Sequence, residues 1–301
     1  MNVTTHRAPA ARDSYLRQIW QSYRKNWVAC VALAVLLTAV FMSVFAAWVT
    51  PQNPFDQSIL DLMDSRLEPG EVGSGGYVHI LGTDADGRDL YSAIVYGMRL
   101  SLFIGLTSGL LALVVGSLIG LLAGYFGGRT EATLMRVVDL QLSFPPLMLA
   151  LILVAVLGQG QFQVIAALVA AQYAYFARTV HGVTLAERQK EYIEAAAAVP
   201  LPTRKIMFGH LLPNVTPPLI VVATVQIASS IVLEATLSFL GVGLPVTEPS
   251  LGGLIYNGFE YMQSGRYWMS IYPGITLVIL MLAINLVGDQ LRDVLNPRLN
   301  K

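Results

Sequence analysis

Charge is what this sequence has least of. Only 13% of its 301 residues are Asp, Glu, Lys or Arg, against 54% hydrophobic, whereas a soluble domain carries about a quarter charged residues. So few charges cannot coat a water-facing surface of this size. The 19 basic and 19 acidic side chains cancel, which leaves no global field to hold nucleic acid and no acidic excess to gather cations. Cys30 is the single cysteine, and neither a disulfide framework nor a metal cluster can be built from one thiol. The four lysines follow Arg24, Gln189, Arg204 and Asn300. A phosphate-binding loop needs a Gly-Lys pair, so this chain cannot bind ATP by that motif. His6, His79, His181 and His210 lack the i, i+4 spacing of a zinc-binding helix, and no Gly-x-Ser-x-Gly elbow occurs. No catalytic residue, metal or cofactor is expected on this chain.

What is abundant comes in long apolar runs. Windows of about 20 apolar residues give six spans: 27–49, 100–125, 136–157, 162–178, 216–240 and 269–288. The first follows Arg7, Arg12, Arg17, Arg24 and Lys25, and at 23 residues it exceeds the core of a cleavable signal, about 7 to 15 residues. It reads as an uncleaved span rather than a leader ending near Phe45-Ala46-Ala47. The third contains Arg136, Asp139 and Gln141 and is interrupted by Pro145-Pro146. Arg136, one turn before Asp139, predicts a local ion pair.

An even number of spans puts both termini on one side. With that topology 15 of the 19 cations fall on the side of the termini, and only Arg66, Arg88, Arg99 and Arg266 on the other, so the termini are expected in the cytoplasm. The chain divides into a cytoplasmic segment 1–26, the first span 27–49, an extracytoplasmic loop 50–99, a core 100–290 with a cytoplasmic loop 191–214, and a tail 291–301. In the outer loop Asp84, Asp86, Arg88 and Asp89 crowd within six residues beside Gly82 and Gly87. The spacing of a calcium loop is missing, so a self-paired turn at the extracytoplasmic mouth is expected.

Span two carries Gly105, Gly109, Gly116, Gly120 and Gly124 on one helical face. Such a seam lets helices approach closely, within this chain or against a partner. Glu234 is the one acid well inside an apolar span. An intramembrane ionisable group must face a cavity or find a partner, so it either lines a translocation path or ties two helices. The inner loop reads EYIEAAAAVPLPTRKIMFGHLLPN from Glu191 to Asn214. Strong helix formers give one short helix up to Ala198, and Pro200 and Pro202 end it. Ile206, Met207, Leu211 and Leu212 give a second, which Pro213 and Pro217-Pro218 are expected to break, leaving Met207 and Phe208 exposed.

This loop resembles the EAA loop of importer permeases of the ATP-binding-cassette superfamily. Glu194-Ala195-Ala196 and Leu211-Leu212-Pro213 match the pattern, with Pro200 in place of its glycine. LGTDADGRDLYSAIVYGMRLSLFIG (81–105), GYFGGRTEATLMRVVDLQLSFPPLMLAL (124–151), SFLGVG (238–243) and NLVGDQLRDVLNPR (285–298) look like blocks of the dipeptide and oligopeptide branch, in its second-permease, C-type form. Residues 1–26 and about 52–78 lie outside the resemblance.

The resemblance implies an all-α polytopic protein of the type I importer permease fold, in the bacterial inner membrane, that performs no covalent chemistry. It implies a second homologous permease, two nucleotide-binding subunits that hold ATP and Mg, and an extracytoplasmic solute-binding protein. Coupling to the ATPases falls on Glu191, Glu194, Ala195, Ala196, Pro200, Thr203, Arg204, Ile206, His210, Leu212 and Pro213. Peptides head the solutes, with glutathione, nickel chelates and oligosaccharides as further cargoes of the branch. The rival from another class is a stand-alone proton-coupled transporter using Glu234, which a pseudo-symmetric pair of broken helices would favour; no second half resembles the first. A membrane scaffold protein is the third reading, and the organised cytoplasmic hairpin argues against it.

Overall fold

The computed structural model describes residues 20–56, 60–198, 201–245 and 247–295. Among these the regular structure is helical, apart from the isolated bridges Val72 to Val78 and Thr83 to Asp89. Helix α1, Trp27–Val44, starts where the Asn26 side chain accepts from the amides of Val28 and Ala29. It resets at Phe45 into a single turn, α2, Ala46–Val49. Helix α3 runs over Leu90–Phe126, 37 residues, or about 55 Å. A hydrocarbon core is roughly 30 Å thick, so the sequence window caught only part of this helix, and residues 90–99 are its outer extension.

Gly127, at φ 67°, turns the chain into α4, Gly128–Leu142. Pro145 is extended and Pro146 opens α5, Pro146–Leu157. The two helices meet at 92°, so the prolines of the third run make a corner rather than a kink. Proline's missing donor suits a first helical turn, where that donor has no partner anyway.

Helix α6, Gln161–Arg188, lies in the middle of the bundle. The hairpin helix α7, Glu191–Ala198, leads through a π-helical stretch, Lys205–Leu211, into α8, Leu212–Phe239. A short α9, Leu251–Phe259, is capped by Ser250, and α10, Trp268–Leu295, closes the chain.

Two expectations fail here. Pro213, Pro217 and Pro218 do not break the chain: the helix passes through them. Pro213 falls in the first turn of α8, directly after the π turn, where its missing donor is not needed, and the side chains of Asn214 and Thr216 add bonds to the carbonyls of His210 and Leu212, at 2.7 and 2.9 Å. Apolar helices tolerate internal proline. Asp139 pairs with Arg178 of α6 and not with Arg136, because α4 packs against α6 and brings the distant cation closer than the local one.

Among the described residues four helices are long and apolar enough to cross a membrane: Trp27–Val44, Leu90–Phe126, Lys205–Phe239 and Trp268–Val294; the bent pair α4–α5 makes a fifth if taken as one span. Helix α6 has the length but carries Gln161, Gln163 and Gln172. It can do so because protein surrounds it: Gln172 is buried and accepts from Ser230 of α8 at 2.9 Å.

The glycine seam of α3 works within the chain and divides between two neighbours. A methyl group on Gly105 or Gly109 would meet Ile231 or Ile227 of α8 at 2.3 and 2.6 Å; on Gly116, Gly120 or Gly124 it would meet Tyr173, Ala177 or Thr184 of α6 at 2.2, 2.4 and 2.7 Å. Apolar clusters fill the spaces between, one around Leu90, Ile94, Ile231, Leu254 and Met269, another around Ile104, Ala150, Val164, Leu168 and Leu237.

Candidate functional site

The inner hairpin is built as a wedge. Ile193 of α7 and Ile206, Met207 and Leu211 of the π stretch are buried with Leu121 of α3, Val180 of α6 and Val215 of α8. Met207, expected exposed, is only 4% accessible, whereas Phe208 is 47% accessible. The π turn accounts for this by rotating Met207 inward beside Ile206. On the other face Glu191, Tyr192, Ala195, Thr203, Arg204 and Phe208 are exposed, while His210 and Leu212 are half-buried and Pro213 is exposed. The side chains of Glu194 and Ala196, and Pro200 altogether, lie outside the described residues.

A chain of hydrogen bonds latches the wedge. Lys190 Nζ and Tyr192 OH donate to the two carboxylate oxygens of Glu187 at 2.5 and 2.6 Å, and Asn214 Nδ2 donates to Tyr192 OH at 3.0 Å. Burial works against ionisation of Glu187, but the donors Lys190 and Tyr192 prevail and hold its pKa below the ordinary carboxylate range. Burial and the bond to Glu187 push the Tyr192 hydroxyl up to about 12. The motif pattern gave no sign of this latch, because its members come from the end of α6, the start of α7 and the start of α8.

Glu234 is fully buried on α8. Ser101 of α3 donates to Oε2 at 2.7 Å, Ser238 donates to Oε1 at 2.9 Å, and the Ser250 hydroxyl also bonds the carboxyl. The carboxyl thus joins α3, α8 and the cap of α9.

In the outer loop the expected turn is present, with a division of labour the spacing did not give. Asp84 accepts from the amides of Asp86 and Arg88, both at 2.9 Å, and from Arg88 Nε at 2.7 Å. Arg88 also reaches Asp86 at 2.5 Å. Burial raises the Asp84 pKa against the pull of Arg88. Asp89 belongs to another set: it caps α3 through Ser92 and holds the buried His79 at 3.0 Å. Among the described residues no three His, Cys, Asp or Glu side chains are placed to hold a metal ion.

At the inner end a cavity of about 720 Å³ opens between α4, α6, α8 and α10, with Tyr175, Arg178, Pro217, Gln226 and Arg292 in its walls. Apolar helices long enough to span, with a cavity open at one end and a two-faced hairpin beside it, define the class: a polytopic helical membrane protein. The fold agrees, for the chain resembles the inward-facing MetNI methionine ABC transporter over 69% of its own length and 98% of that chain, with a TM-score of 0.55 at 23% identity.

The particular family follows from the sequence matches. Residues 116–301 match the binding-protein-dependent transport system inner membrane component, and residues 14–69 match the N-terminal TM domain of oligopeptide transport permease C. This chain belongs to that family of inner-membrane permeases, in its dipeptide and oligopeptide branch, and is a multi-pass transport component rather than an enzyme. It is 37% identical to the di/tripeptide transport system permease protein DppC of Pseudomonas aeruginosa, over 98% of this chain and 97% of the relative. It is 34% identical to the glutathione transport system permease protein GsiD of Pectobacterium atrosepticum, over 97% and 95%. The match over 14–69 extends the likeness into segments placed outside it above. These comparisons support the importer reading and lend nothing to the proton-coupled alternative.

Proposed function

We propose that this chain is one of two membrane-spanning halves of an ATP-driven importer of di- and oligopeptides. The names of the relatives, which include peptide and glutathione permeases, support small peptides as the cargo class. A second homologous permease completes the path, two ATPase subunits hold ATP and Mg, and a solute-binding protein delivers the peptide to the outer face. In this reading the chain crosses the membrane six times, with α4–α5 as one bent crossing and α6 as another, and both termini lie in the cytoplasm.

The observation that carries the proposal is the two-faced wedge over 191–211. Its apolar side is locked to α3, α6 and α8, while its exposed side offers Glu191, Ala195, Thr203, Arg204 and Phe208 to an ATPase cleft. A short rigid hairpin so held transmits a push from below directly to three helices. His210, Leu212 and Pro213 hold its junction with α8, and Glu194, Ala196 and Pro200 complete the motif. The inward cavity with Arg178, Gln226 and Arg292 is then one wall of the path. The enclosure of Glu234 by serines supports an interhelical tie over a path-lining acid, and the Asp84, Asp86, Arg88 and Asp89 turn serves as a rigid rim at the mouth.

Reconstitution tests this. Proteoliposomes holding both permeases, both ATPases and the binding protein are expected to accumulate dipeptides with ATP. A cysteine placed at Thr203 is expected to crosslink to an ATPase subunit with a yield that changes with nucleotide. ATP hydrolysis by this chain alone, or peptide uptake driven by a proton gradient without ATPases, would overturn the proposal.

A further inference from the structure

A second cavity, of about 750 Å³, lies between α1, α3, α8 and α10, away from the inward cavity. Toward its outer end it is lined by Arg99 and Ser43, and below them by apolar side chains such as Leu36, Val40, Ile284 and Val287. Arg99 is exposed to this space and has no ion pair or hydrogen bond among the described residues. The Ser43 hydroxyl is independent of it: its side chain is 3% accessible, and its oxygen is buried without a partner. At this outer end of α3 an exposed guanidinium stands at headgroup level, where it attracts an anionic group. No Asp or Glu lines the cavity.

The shape narrows the choice of occupant. The lining runs from Leu36 to Val44 on α1 and from Tyr96 to Leu106 on α3, a depth of about 12 to 15 Å at 1.5 Å per residue. A slot of that depth, with one guanidinium at its end and apolar side chains below, matches a charged headgroup on a hydrocarbon chain.

We propose that this slot binds an anionic glycerophospholipid of the outer leaflet. Its phosphate sits on Arg99, a headgroup oxygen accepts from Ser43, and an acyl chain lies along Val40, Leu36 and Ile284. A phosphodiester offers the guanidinium two acceptor oxygens, and a net anionic headgroup is required because nothing else in the wall balances Arg99. The choice of leaflet rests on the orientation proposed above; the site itself needs only that the chain spans the membrane and is independent of what is transported.

Native mass spectrometry of the detergent-purified chain, with whatever subunits accompany it, tests the site with phosphatidylglycerol and phosphatidylethanolamine as probes. Phosphatidylglycerol is expected to be retained, and about fivefold less in Arg99→Gln, the scale of one surface cation on an anionic lipid. Arg99→Lys is expected to keep most of it. Val40→Trp leaves the charge in place and fills the slot, so it too is expected to release the lipid. Retention unchanged by both Arg99→Gln and Val40→Trp, or equal retention of the two lipids, overturns the proposal. So does an efficient disulfide between a cysteine at Val40 and a second permease, which would put protein in the slot.

Discussion

Glu234 shows how one side chain ties three helices. Each serine hydroxyl that donates to it is itself enclosed, so Glu234→Ala leaves buried donors unsatisfied, at about 1 to 3 kcal/mol each. Glu234→Gln retains acceptor capacity and is expected to assemble normally. Thermal unfolding of the purified chain should therefore separate the two variants, with Ala well below Gln and Gln near the parent. Transport per assembled complex is expected to stay unchanged in Glu234→Gln; a changed solute range without loss of assembly would restore Glu234 to the path. The sequence marked this residue by its cost inside an apolar run. It could not say what met that cost, because Ser101 and Ser250 stand far away in the chain.

At the scale of the element, the π-linked hairpin and the glycine seam make contrasting predictions. Tyr192→Phe removes the donor to Glu187 and the acceptor for Asn214, bonds worth about 0.5 to 1.5 kcal/mol each and less at so exposed a site. Amide exchange across 191–214 is expected to quicken and coupled ATP hydrolysis to fall, with insertion of the spans intact. The depressed Glu187 pKa adds a pH dependence: the folded latch binds fewer protons than the unfolded chain, so its contribution is present above the ordinary value of 4.5 and is lost as pH falls through the lower folded value. Protection at 191–214, after correction for the intrinsic exchange rate, should thus fall below pH 4.5 in the parent and change less in Tyr192→Phe. On α3, Gly116→Val or Gly120→Val drives a side chain into the α6 backbone, an overpacking cost of about 1 to 3 kcal/mol or more. Gly182→Ala meets nothing within 4 Å and is expected to be neutral or stabilising by up to about 1 kcal/mol. Equal folded yields for Gly120→Val and Gly182→Ala would refute the intrachain seam.

For the whole molecule the central prediction is topological. If the cation bias of 15 to 4 orients the chain, an impermeant thiol reagent is expected to leave a cysteine at Thr203 unlabelled in intact spheroplasts and to label one at Glu68 in the outer loop. Labelling at Thr203 from outside would invert the bundle and remove the hairpin from reach of any ATPase. Cys30 must be replaced first, since it is only partly buried.

The sequence by itself determined the solvent and the class. The scarcity of charge required lipid, and the length of the apolar runs required helices. The four ordered blocks and the EAA-like loop named the branch, because local motifs survive without reference to the fold. Only the tertiary structure decided where the polar groups went. It passed α8 unbroken through Pro217 and Pro218, turned the Pro145-Pro146 run into a corner, and gave Asp139 to Arg178 rather than Arg136. It also seated Met207 inward and split the glycine seam between α6 and α8. The physical reason is common to these: in an apolar solvent a buried polar group is stabilised by a partner inside the protein, and which partner is near depends on helix packing and not on separation along the chain.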